Sequence, residues 1–219
     1  MASSALRDRV RENLLPYTRM AFHLLPPQES RRILDIGCGT GVPTVLLAHL
    51  AGGEIVGLDQ DAAALEVFRR RVRDAGLEAR VAARQGSVEA IPFPDGSFDL
   101  LWCEGALWVL GFGESLRRWR RLLAPGGWMV AHDDAVDIRQ KMEVADAEGF
   151  VVHAVFVVPE EIWGRAYYAP AEAALLRLAA GGSAPEPDHD ALTEEIHRYR
   201  ASPETFRSAY FVLEKAGSS

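Results

Sequence analysis

The 219-residue sequence predicts an α/β fold: a mostly parallel seven-stranded sheet with helices on both faces. Three observations predict it. Short β-rich runs alternate with helical stretches from residue 31 onward. The first junction of this kind places Gly37, Gly39 and Gly41 within five positions, with an apolar run on each side. An acid, Asp59, closes the second strand-like run.

In order, residues 5–25 read as one amphipathic helix ending at Pro26-Pro27. RRILDI is the first strand, and VPTVLLAHLA follows as a helix. EIVGLD is the second strand, and AAALEVFRRRVRDAG is a helix closing on Gly76. EARVAAR is the third strand, and SFDLLWCE, after the turn PDGS, is the fourth. ESLRRWRRLLAPGG is a helix stopped by Pro125-Gly126-Gly127, and WMVAHD is the fifth strand. IRQKMEVADAEG is a helix ending at Gly149, FVVHAVFVV the sixth strand and FRSAYFVLEK the seventh. Between strands six and seven lies an insertion, about 159–205, with two helical stretches around the loop-like, exposed segment GGSAPEPDHD. Repeated βα units imply parallel pairing.

Composition narrows the function classes. The net charge of −7 argues against a phosphate backbone as the main partner. The runs RRRVR (69–73) and RRWRR (117–121) read as solvated helix faces, not as a nucleic-acid footprint. No apolar run is long enough for a membrane span. The N-terminal residues carry charge where a signal peptide is apolar, which argues against secretion. Cys38 and Cys103 form neither a disulfide framework nor a metal-ligand pattern, so no metal is expected and a reducing cytoplasm fits.

The glycine turn carries the chemistry. In a doubly wound sheet, ligands bind at the carboxyl ends of the strands. Glycines permit a tight turn and a close approach to the backbone, and the following helix offers free N–H groups. A carboxylate at Asp59 can accept both hydroxyls of a ribose, or it can help start the next helix. A dinucleotide fingerprint needs glycine where Val42 stands. The pattern is instead D-x-G-x-G-x-G, with Asp35 in front. That acid repels a pyrophosphate and suits a ligand carrying an ammonium.

LDIGCGTG, GLDQD, SVEAIPFPDGSFDLLWCEGALW and RLLAPGGWMV, in this order, resemble the motifs of class I S-adenosylmethionine-dependent methyltransferases over about 30–135. EGALWVLGF, VVPEEIWGRAYYAP and the final FVLEK extend the resemblance to the small-molecule, ubiquinone/menaquinone-methyltransferase-like group. The resemblance implies a Rossmann-like sheet ordered 3-2-1-4-5-7-6 with an antiparallel last strand. It implies one methyltransferase domain over 1–219: an N-terminal helix (1–29), a cofactor-binding core (30–135) and a helical substrate lid (159–205).

By this resemblance, Gly37, Cys38, Gly39 and Gly41 face the methionine and ribose of S-adenosyl-L-methionine. Asp35 binds the α-ammonium, Asp59 the ribose hydroxyls, and Gln60 flanks the adenine. Ser87 and Val88 lie at the adenine edge, with Ser87 where many relatives carry aspartate. Glu104 either binds the ammonium or lies under the substrate; a solvated strand-end carboxylate is the other reading.

The expected reaction is in-line attack on the sulfonium methyl, with catalysis chiefly by positioning. His132 is the expected base, with Asp133 and Asp134 as orienters, and His23 is a second candidate beside the substrate. Trp108, Trp163, Tyr167 and Tyr168 are placed in the acceptor pocket, under the N-terminal helix and the insertion. The methyl acceptor is expected to be a small molecule. RNA or protein methylation, or non-catalytic cofactor binding, are the alternatives.

Overall fold

The computed structural model describes residues 3–28, 30–182 and 187–217. Two short helices open the chain, α1 (Ser3–Glu12) and α2 (Leu15–His23). They replace the single helix expected over 5–25. Pro16 lies in the first turn of α2, where its missing N–H is tolerated but would break a helix running through it.

The βα alternation follows: β1 (Ile33–Ile36), α3 (Val42–Leu50), β2 (Ile55–Asp59), α4 (Ala62–Asp74), β3 (Val81–Gln85), β4 (Phe98–Glu104) and α5 (Phe112–Trp119). Then come β5 (Leu123–Asp134), α6 (Ile138–Ala147) and β6 (Phe150–Val158). The helix expected from Glu114 up to the stop at Pro125 ends earlier, at Trp119, because strand pairing begins at Leu123 and carries Pro125-Gly126-Gly127 into β5. The insertion holds α7 (Glu160–Trp163), a π-helical turn over Gly164–Tyr168, α8 (Ala169–Ala180) and α9 (Pro187–Ala201). Of the segment read as an exposed loop, residues 187–190 are the first turn of α9, where Pro187 at the helix start removes no needed hydrogen bond, and 183–186 lie outside the described residues. A single 3₁₀ turn, Pro203–Phe206, leads into β7 (Ser208–Lys215).

The seven strands lie in the order β3-β2-β1-β4-β5-β7-β6. Pairing is parallel from β3 through β5 and antiparallel for β5–β7 and β7–β6. β1 is buried along its whole length between β2 and β4, as its unbroken apolar character around Asp35 requires.

Alternate residues of each strand feed two cores. Leu101, Cys103, Met129 and Phe211 pack with Leu116 and Trp119 on one face. Leu100, Trp102, Val130, Tyr210 and Val212 pack with Leu47 and Phe68 on the other. A third cluster joins α1 to the insertion through Leu6, Val10, Leu14, Tyr167, Tyr168, Leu192 and Ile196. The first helix and the insertion are thus one packed layer over the carboxyl ends of the parallel strands.

Candidate active site

The turn between β1 and α3 brings the three glycines to positive φ: 73° at Gly37, 53° at Gly39 and 79° at Gly41. Their roles separate. A methyl on Gly37 would stand 2.3 Å from Ala106 Cβ, and one on Gly41 would stand 2.0 Å from the Phe68 ring. Those two glycines serve close packing. A methyl on Gly39 meets nothing within 4 Å, so the turn is open at its tip, where a ligand can reach the backbone. Cys38 lies between them, buried against the β1–α3 face, and burial pushes its thiol above the usual range.

Asp59 binds this tip. Its Oδ2 accepts from Gly39 N at 2.8 Å and its Oδ1 from Asp61 N at 2.9 Å. Asp61, not Asp59, caps α4, accepting from Ala63 and Ala64 N. Gln60 is exposed beside Asp59, and its carbonyl accepts from Gln85 Nε2. Ser87 is half-buried and turned into its own loop, its Oγ accepting from Glu89 N, while the Val88 carbonyl accepts from Trp119 Nε1.

Asp35 is 3% exposed, with Oδ2 accepting from the Thr44 hydroxyl at 2.6 Å. Burial pushes its carboxyl up to about 7, against the opposing pull of the Thr44 bond. The group is therefore poised to ionise when a cation arrives.

Glu104 is not a solvated carboxylate. Its side chain is 3% exposed, Oε2 accepts from Arg11 at 2.7 Å and Oε1 from Trp102 Nε1 at 2.9 Å. Arg11 comes from α1, which is fastened to the glycine turn as well. Asp8 accepts from Thr40 Oγ1 at 2.5 Å and from Arg71 at 2.9 Å. Arg7 reaches the insertion, at 3.3 Å from Tyr167 Oη and 2.7 Å from Glu195. The sequence reading missed Asp8, Arg11 and Thr40. The signal was present as charges three apart on one face of an amphipathic helix.

At the end of β5, His132 pairs with Glu104 of β4 and with Tyr210 of β7 across the sheet. Because β7 runs antiparallel, its first residue, Ser208, lies at the same edge, diagonal to His132 on one face. His132 Nε2 is 2.8 Å from Ser208 Oγ, which also accepts from Trp163 Nε1 at 3.0 Å. Burial pushes His132 down to about 4, so it is neutral at pH 7.

Asp133 and Asp134 do not orient His132. Successive strand residues face opposite sides, so Asp133 points away from it. Both acids bind Lys141 Nζ instead, at 2.6 and 2.8 Å. Ser208 takes the partner's place.

A cavity of about 270 Å³ opens here, walled by Leu107, Trp108, His132, Asp133, Phe206 and Ser208 among others. Trp108 stands at its mouth, 78% exposed, with Nε1 donating to Gly105 O. Trp163 reaches the cavity wall through Ser208. Tyr167 and Tyr168 are buried in the third core, where Tyr168 Oη donates to Glu195, so their rings hold the insertion together instead of lining the cavity. His23 is exposed at the end of α2, apart from the cavity walls.

Several arginines of the two runs are paired with acids or carbonyls of the chain, while Arg70, Arg73, Arg117, Arg118 and Arg121 stay exposed, as solvated helix faces do. Arg71 binds Asp8 and Glu12, Arg117 and Arg118 bind Glu114, and Arg120 and Arg121 reach backbone carbonyls. Among the described residues no helix is long and apolar enough to cross a membrane, and no cluster of acids, histidines and cysteines suits a metal.

A family model described as a methyltransferase domain matches residues 33–127. The methyltransferase GfsG of Streptomyces halstedii is 33% identical over 135 residues, covering 61% of this chain and 49% of the relative. The ubiquinone/menaquinone biosynthesis C-methyltransferase UbiE of Shewanella oneidensis is 38% identical over 99 residues, covering 44% and 39%. The chain thus spans half or less of the length of these curated relatives. Among solved structures, the [4+2]-cyclase SpnF superposes with a TM-score of 0.78 at 20% identity, over 93% of this chain and 81% of that one. A methyltransferase from Geobacter sulfurreducens, solved with S-adenosyl-L-homocysteine, gives 0.71 at 20% identity, over 91% and 89%. These two likenesses show a shared fold. The family match takes in the glycine turn and the strands behind it, so over residues 33–127 this chain is similar to a methyltransferase domain, set in a sheet of order β3-β2-β1-β4-β5-β7-β6.

Proposed function

We propose that the protein transfers the methyl group of S-adenosyl-L-methionine to a small-molecule acceptor held between the strand ends and the α1–insertion layer. The observation that carries the reading is the open tip at Gly39, flanked by the Asp35 and Asp59 carboxylates. The cradle fits the cofactor. A tip with no Cβ leaves room for the ligand backbone, Asp59 has a carboxylate at the ribose position, and buried Asp35 gains by meeting an ammonium. Gln60, Ser87 and Val88 border the adenine side, and the Gly37–Gly41 backbone borders the methionine.

When bound, the cofactor supplies an electrophilic methyl on a sulfonium whose leaving group is a neutral thioether. The chain's own task is positioning: it holds the acceptor in line at roughly 3–3.5 Å and excludes water. The 270 Å³ cavity beside His132 holds the acceptor, with Trp108 at the mouth and Phe206 in the wall. Residues 30–135 form the cofactor core and 159–205 the substrate lid of one domain over 1–219. The two free thiols support a cytoplasmic enzyme, and the net charge of −7 supports a partner other than nucleic acid.

Calorimetry is the direct test. The protein should bind S-adenosylmethionine and its demethylated product but not NAD. Binding of NAD alone would refute the reading. Metabolite extracts incubated with methyl-labelled cofactor then show the acceptor as a labelled product.

A further inference from the structure

The Ser208 hydroxyl lies between two rings from different parts of the chain. Trp163 of the insertion points its indole N–H at Ser208 Oγ from 3.0 Å, and His132 Nε2 lies 2.8 Å away on the other side. Ser208 and His132 are 5% and 7% exposed. The Trp163 ring stacks over His132 at 6.1 Å and 22°, and Tyr210 packs against the imidazole at 4.3 Å. The ring is therefore held in one orientation.

The chemistry of the three groups fixes the protons. An indole nitrogen only donates, so Trp163 occupies an oxygen lone pair. The serine proton then needs an acceptor. Among the described contacts of Oγ, His132 Nε2 is the one that can accept. The reverse arrangement, with Nε2–H donating to the oxygen, leaves a buried hydroxyl proton without a partner, which is costly.

We infer that Trp163 and Ser208 are positioning residues that hold His132 as the neutral Nδ1–H tautomer, with its Nε2 lone pair taken up by the serine proton where a general base was expected. This rests on the reading of the cavity as the acceptor site. The other acids at the cavity do not supply a base, since Asp133 and Asp134 are both bound to Lys141. A pocket so arranged suits an acceptor whose nucleophile arrives ionised or without a proton to lose. Because Trp163 belongs to the insertion and Ser208 to β7, the tautomer is set only while the insertion is docked on the sheet.

The test is nitrogen NMR of the full chain, uniformly labelled at histidine, without cofactor or acceptor. The His132 signals are those lost in His132→Gln. At pH 7 the wild type should show a protonated Nδ1 and a bare Nε2. Ser208→Ala should shift the tautomer ratio by about tenfold toward Nε2–H, the scale of one lost hydrogen bond. Trp163→Phe, which keeps the stacked ring, should give a smaller shift in the same direction, and Ser208→Thr should restore the wild-type pattern. A wild-type Nε2–H tautomer, an imidazolium at pH 7, or an unchanged ratio in Trp163→Phe and Ser208→Ala overturns the inference. If Ser208→Ala does not fold, the wild type and Trp163→Phe still decide it. Cofactor binding is measured separately by calorimetry, so failure here does not mimic failure of the proposed function.

Discussion

The Arg11 guanidinium meets the Glu104 carboxylate at 2.7 Å, tying the first helix to the end of β4 across 93 residues of chain. The carboxylate is buried, and its second oxygen is held by Trp102. Removing one partner of a buried pair strands the other charge. Arg11→Met should therefore cost about 3 kcal/mol of stability, read from urea unfolding. Arg11→Met combined with Glu104→Leu should recover part of that loss, because no charge is left behind. A loss in the single variant no larger than that of an exposed pair would show that water reaches Glu104.

The glycines should part company on substitution. Gly41→Ala drives a methyl into the Phe68 ring at a positive φ. It should lose roughly 2–5 kcal/mol of stability, from the left-handed backbone and from overpacking together. Gly39→Ala has open space and should lose only about 1–2 kcal/mol of stability, from the backbone alone. Its larger defect should be in cofactor affinity, measured by calorimetry on the folded variant. Equal stability losses with intact binding in Gly39→Ala would place the ligand elsewhere.

Asp35 should couple cofactor binding to protons. Buried and raised to about 7, it is roughly half protonated at neutral pH without ligand. An ammonium beside it favours the carboxylate, so binding should release about half a proton near pH 7. Affinity should strengthen from pH 6 to pH 8. Calorimetry in two buffers of different ionisation enthalpy reads the release directly, and Asp35→Asn should abolish it. No buffer dependence would remove the cofactor's cation from Asp35.

Asp35 and His132 should bend the stability profile in opposite directions. The Asp35 carboxyl is raised in the folded state, so the stability it contributes is full below about pH 4 and is lost as pH rises toward 7. His132 is lowered to about 4, so its contribution is full above about pH 6.5 and is lost as pH falls toward 4. Beside His132 the Glu104 and Arg11 charges act in opposite directions. Each slope is at most about 1.4 kcal/mol per pH unit, so the two largely cancel near pH 5–6. His132→Asn should become more stable on acidification from pH 6.5 to 5, and Asp35→Asn less stable. Urea midpoints at the two pH values test this. Parallel profiles in both variants and the wild type would mean that neither group is held neutral by burial.

Much of the site was legible along the chain because its cause is local. Gly37, Gly39 and Gly41 announce positive φ wherever they fold, and a strand-ending Asp59 announces a carboxylate at the next crevice position. The strands from β1 to β7 showed in their apolar runs. The N-terminal break at Pro16 was readable too, but the amphipathic pattern continues across it and hid the division into α1 and α2. Asp133 was misread because adjacency in sequence places two strand residues on opposite faces. Tyr167 and Tyr168 carry the same aromatic signal as a pocket residue and a core residue, and only packing against Leu6, Val10 and Ile196 tells them apart.

By itself the sequence determined the α/β alternation and the glycine turn with its two acids, and it raised the expectation of an ammonium-bearing nucleoside over a dinucleotide. These follow from backbone freedom, hydrophobic period and charge, which are properties of a few neighbouring residues. Only the tertiary structure decided that Ser208, 76 residues away, is the partner of His132, that Arg11 neutralises Glu104, and that Asp133 belongs to Lys141. Those pairings depend on strand register, on the antiparallel return of β7 and on how α1 packs with the insertion. Each is a long-range outcome of which faces bury against which, and no window of the sequence contains it.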